Sequence, residues 1–62
     1  MTEKRNRELE NIAYIFRDAE NELRKGNDTK CEQAKATFSD ICETLPTSER
    51  AYIDDFIADM GW

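Results

Sequence analysis

Histidine is absent from this 62-residue chain, which also has a single proline, two glycines and two cysteines. Without imidazole the commonest general base is missing, and so is the commonest nitrogen ligand for zinc. Two cysteines plus carboxylates make too thin a set for a structural metal. The serines, Ser39 and Ser48, have no base partner in the sequence. Uninterrupted apolar runs are only a few residues long, far short of a membrane span. The opening MTEKRNRELE is no secretory leader, because no apolar core follows its charges. These absences predict a cytoplasmic protein, neither an enzyme nor a membrane protein, with no cofactor or metal.

Hydrophobic residues make up 39% of the chain and charged residues 37%, enough apolar character at regular spacing to oppose disorder. Chains this short bury only about 60% of the surface that they expose when unfolded, so a lone core is marginal and a partner surface would help. The net charge of −5 is uneven. Residues 1–30 carry seven bases and seven acids, whereas residues 31–62 carry two bases and seven acids. A balanced end and an acidic end bear on partners and steering more than on fold.

The spacing predicts an all-α domain over 1–62: an antiparallel helical hairpin plus a short third helix. Leu9, Ile12, Phe16, Ala19 and Leu23 step by three and four from about Lys4 to Lys25, with Thr2 able to cap that helix. Gly26 suits its left-handed C-cap. Thr29 and Glu32 then read as a T-x-x-E capping box opening a second helix to Leu45, whose stripe of Cys31, Ala34, Phe38, Ile41 and Leu45 is the surface the rest is expected to cover. Cys31 and Cys42 on that helix would be roughly 16 Å apart, beyond disulfide reach. Pro46 closes the helix, the alternative being one long helix kinked there; Thr47 or Ser48 can cap the next, and Ile53, Phe56, Ile57 and Met60 mark its apolar side. Gly61 should end it, with Trp62 folding back toward Ile57.

Phe16, Phe38 and Phe56 fall on the expected stripes and read as core. Tyr14, Tyr52 and Trp62 are the candidates for a surface hot spot, Tyr14 standing beside Arg17 on a mixed polar face. Asp54, Asp55 and Asp59 fall on the outer side of the third helix, where no cleft for acid–base chemistry is expected.

Two stretches, Leu9–Arg17 (LENIAYIFR) and Asp40–Leu45 (DICETL), resemble the Rop family of small plasmid RNA-binding regulators. The resemblance covers about a quarter of the chain. It implies a helical hairpin that dimerises into a four-helix bundle and grips paired RNA loops through one face of the first helix, here Lys4, Asn11 and Ile15. Ile15 stands where that family has an aromatic residue, Ala19 where it has a polar one, and Pro46 interrupts the expected second helix.

The preferred expectation is a module that binds another protein through Tyr14, Arg17, Glu43, Glu49, Asp54, Asp55 and Asp59. In style it is similar to the small acidic inhibitors of phages and mobile elements, anti-CRISPR and other anti-defence proteins among them, which set carboxylates where a target expects phosphates. The alternative is the Rop-like dimeric regulator of plasmid copy number. A third reading is a purely structural assembly subunit, and homodimerisation suits all three, because a hairpin this small has more apolar stripe than one helix covers.

Overall fold

The computed structural model describes residues 2–62 and consists of three helices, α1 (Glu3–Arg24), α2 (Asp28–Glu43) and α3 (Thr47–Met60). The fold is a small all-α bundle, as the apolar spacing predicts. Thr2 caps α1 as expected, its hydroxyl accepting from the Arg5 amide at 3.2 Å. At the other end Gly26 adopts φ 84°. The Gly26 amide donates to Leu23 O at 3.0 Å and the Asn27 amide to Glu22 O at 2.9 Å, the paired closure of a Schellman turn.

That turn delivers the chain straight into α2, whose cap lies two residues ahead of the one expected in the T-x-x-E box. Asn27 is the cap residue, its carbonyl accepting from Cys31 N at 3.0 Å, while its side-chain amide turns back to Glu22 Oε2 at 2.8 Å. Thr29 and Glu32 therefore sit inside the helix, exposed. The start of α3 differs likewise. Pro46, at φ −61° and ψ 155°, holds the cap position, and its carbonyl accepts from the Glu49 and Arg50 amides at 3.0 and 3.1 Å. Proline fits there because its fixed φ is preorganised and no N–H is needed. Thr47, expected as a cap, is the first helical residue.

Helix directions follow from the pairings. Phe16 meets Phe38 at 5.6 Å between ring centroids and Glu20 meets Lys35 at 3.5 Å, so α2 runs antiparallel to α1. Arg5 meets Glu49, Glu10 meets Tyr52 and Tyr14 meets Phe56, so α3 runs parallel to it. Among the described residues, both later helices pack mainly on α1. The molecule measures 37 × 22 × 16 Å, its longest dimension close to the roughly 33 Å length of the 22-residue α1.

A flat arrangement leaves a thin core. Leu9 and Ala13 of α1 and Ile53 of α3 are wholly buried, with Phe38, Leu45 and Phe56 half-buried around them. The stripe of α2 is thus not the centre that the sequence suggests: α1 supplies three fully buried residues and α2 only Cys31. Cys31 behaves as the small buried hydrophobe expected, and neither cysteine is bridged. Leu23 and Met60, expected on buried stripes, are 47% and 48% exposed. Both lie in the last turn of their helices, where so short a chain has no further layer to cover them.

Candidate protein-binding face

Gly61, at φ 73°, builds a second Schellman turn at the end of α3, its amide donating to Ala58 O and the Trp62 amide to Ile57 O, both at 3.1 Å. The reversal expected there is present, and it carries the indole onto α1. The Trp62 ring lies 5.0 Å from Tyr14 and 5.5 Å from Phe56, the latter edge-on at 82°. Tyr14 and Phe56 are 6.3 Å apart at 63°. The Arg17 guanidinium sits 5.2 Å from the indole centroid in a cation–π contact. Tyr14 remains 41% exposed. Three aromatic rings and one guanidinium thus form one cluster at the surface.

Two shallow concavities flank it. One, of about 230 Å³, is lined by Arg17, Glu20, Asn21, Arg24, Gly61 and Trp62. The other, of about 220 Å³, is lined by Tyr52, Asp55, Phe56 and Asp59. Phe56 joins the cluster to the acidic depression and Trp62 joins it to the arginine cleft, so a basic and an acidic patch share an aromatic ridge.

The five acids singled out in the sequence do not form one face. Asp55 and Asp59 come together beside Tyr52 and Phe56. Asp54 faces the α2 side: burial pushes the Cys42 thiol up, with Asp54 adding to that effect and Arg50 opposing it. Glu43 is exposed at the end of α2. Glu49 takes a bidentate pair from Arg5, with Nε to Oε2 at 2.6 Å and Nη2 to Oε1 at 2.7 Å, and its side chain is only 13% exposed. The hydrogen bonds from Arg5 hold the Glu49 carboxyl below its usual range. Tyr52 donates to Glu10 Oε2 at 2.8 Å, which, with burial, raises its phenol above the ordinary value. These two bonds anchor the first half of α3 on α1.

Of the residues implied by the Rop resemblance, Lys4 and Asn11 are exposed on α1 and Ile15 is half-buried. Phe56, expected as plain core, also serves the surface cluster. The arginine cleft escapes a reading made residue by residue, although Arg17, Asn21 and Arg24 stand at i, i+4 and i+7, one side of a helix. Among the described residues, no helix is long and apolar enough to cross a membrane, and no three potential ligands are gathered for a metal ion.

Fold and site together define a small three-helix protein with a mixed aromatic and charged face. No protein-family model, curated protein or solved structure matches the chain.

Proposed function

We propose that this protein is a non-enzymatic module that binds another protein in the cytoplasm, in the manner of the small acidic inhibitors of phages and other mobile elements. The observation that carries the reading is the joining of Tyr14, Trp62 and Arg17 into one partly exposed cluster. Tyr, Trp and Arg are the residue types that dominate interface hot spots, because each offers a large apolar body with a polar edge. Asp55 and Asp59 add charge beside the same ridge, suited to a basic surface of the kind that nucleic-acid-handling proteins present. Glu49, engaged by Arg5, is a structural tie in this reading, and the carboxylates left for the partner are Asp55 and Asp59, with Asp54 and Glu43 at the margins.

Affinity capture of the tagged protein from a bacterial lysate, with and without nuclease, tests the proposal when run beside Tyr14→Ala and the double reversal Asp55→Lys, Asp59→Lys. The expected result is a stoichiometric protein partner that survives nuclease. Its affinity should fall by about 2 kcal/mol, roughly 30-fold, in Tyr14→Ala, and its salt dependence should weaken in the double reversal. Equal capture by the wild type and both variants would overturn the reading. RNA that nuclease removes, and that Lys4→Ala and Asn11→Ala no longer recover, would instead support the Rop-like regulator.

A further inference from the structure

We propose that the cleft between the second half of α1 and the turn after α3 is a binding site for a phosphate group. Arg17, Asn21 and Arg24 line one wall, spread along about 10 Å of helix, and Gly61 and Trp62 form the other. The volume of about 230 Å³ is several times the roughly 30 Å³ that a water molecule occupies in the liquid, so a phosphate and part of its substituent fit. Arg17 is already oriented. Its guanidinium lies 5.2 Å from the indole centroid and makes no ion pair among the described residues, so its N–H groups remain to donate to a ligand.

Among the described residues, neither guanidinium of the cleft is held in an ion pair: no acid lies within ion-pair distance of Arg17 or Arg24. Glu20, the one side-chain carboxylate in the lining, is drawn to Lys35 of α2 at 3.5 Å. Two guanidinium charges against the single Glu20 carboxylate leave the side chains of the cleft net positive, which suits a phosphate monoester. Donors arriving from two arginines and an amide suit its tetrahedral set of oxygens better than the two oxygens of a flat carboxylate. With Arg17 over the indole and Tyr14 tilted against it at 5.0 Å, the ring is already engaged, so the cleft offers charge rather than a platform for a nucleobase. The ligand chemistry is the phosphate group itself, free in solution or carried on a phosphorylated side chain.

Trp62 is the sole tryptophan, so its emission reports directly on this cleft. Inorganic phosphate should change that emission saturably and shift the Arg17 and Arg24 Nε–Hε resonances, whereas sodium chloride of equal ionic strength and sodium acetate should do neither. Arg24→Gln, an exposed change that leaves Arg17 in place over the indole, should weaken the apparent Kd roughly tenfold with the helical circular dichroism unchanged, as expected for one charge-assisted contact. Glu20→Gln should tighten it. Tighter binding of N-acetyl-O-phosphoserine amide than of phosphate assigns the site to phosphorylated side chains; equal or weaker binding assigns it to the free ion. Absence of saturation in both readouts, an equal response to acetate, or an Arg24→Gln titration identical to wild type would overturn the proposal. The two readings fail separately, because phosphate binding is read with Arg24→Gln, outside the aromatic cluster, and protein capture with Tyr14→Ala and the Asp55, Asp59 reversal.

Discussion

The two helices that pack on α1 are attached in different ways. α2 follows it through a three-residue turn and lies antiparallel, so its contacts close short loops and need little beyond apolar fit: Phe16 on Phe38, with Ala19 and Cys31 buried. α3 returns parallel to α1, and its contacts join residues 42 to 44 apart in sequence. Its three-residue link leads from α2, and no turn sets its register on α1 directly. That is supplied by oriented side chains, Glu49 on Arg5 and Tyr52 on Glu10, and at the far end by the Trp62 cluster. The helix with no direct link to α1 carries the most directional contacts with it, and the two together form the candidate binding face.

The core should be the most sensitive place to break this contrast. Ile53 is the one fully buried residue of α3, and Ile53→Ala should destabilise the protein by about 2–5 kcal/mol, comparable with the whole stability expected of a chain this size. Cys31→Ala removes the fully buried residue of α2 but deletes only a sulfur, and should change stability by about 1 kcal/mol. Urea unfolding followed by circular dichroism compares the two directly. Equal losses would mean that α2 depends on its core residue as heavily as α3 does.

The two glycine turns sharpen the comparison at the next level. Gly26 and Gly61 both have positive φ, and a Cβ on either would meet no atom within 4 Å, so the effect of alanine is purely conformational. Gly26→Ala and Gly61→Ala should each destabilise by about 1–2 kcal/mol. Only Gly61→Ala should also shift the emission of Trp62 toward that of exposed indole, because only that turn places the ring against Tyr14 and Phe56. A shift of equal size in both variants would separate the aromatic cluster from its turn.

The sequence makes the fold legible where the signal is local. Apolar spacing locates three helices, and Gly26, Pro46 and Gly61 mark their ends because glycine and proline act through their own backbone. Starts are less legible. Asn27 and Pro46 take the cap positions because the preceding turns deliver the chain there, ahead of Thr29 and Thr47, whose side chains look better suited. The central role of α1 is hidden for another reason: Leu23 and Phe38 have the same periodic signal, and only the stacking of helices decides which is covered. For the candidate site, Tyr14, Arg17 and Trp62 stand out as residue types. Their assembly, the withdrawal of Glu49 into an ion pair and the division of Asp54 from Asp55 depend on how α3 lies along α1, which no local pattern encodes.

The smallest expected effects test the polar ties themselves, and their pH dependence has opposite signs. Glu49 has a carboxyl lowered in the fold by its hydrogen bonds from Arg5, so its contribution is complete above the ordinary value of 4.5 and is lost as pH falls through the lower, folded value. Tyr52 has a phenol raised by its bond to Glu10, so its contribution is complete below 10.0 and is lost as pH rises through the higher, folded value. Melting temperatures of wild type, Glu49→Gln and Tyr52→Phe across the pH range should therefore differ in opposite places. Glu49→Gln should be less stable than wild type near neutrality and converge with it in acid. Tyr52→Phe should be slightly less stable near neutrality and converge in strong base. The Arg5 to Glu49 deficit should shrink with added salt while that of Tyr52, whose donor is neutral, changes less. If neither variant changes the pH profile, apolar packing alone sets the register of α3, and the contrast with α2 reduces to the direction of the chain.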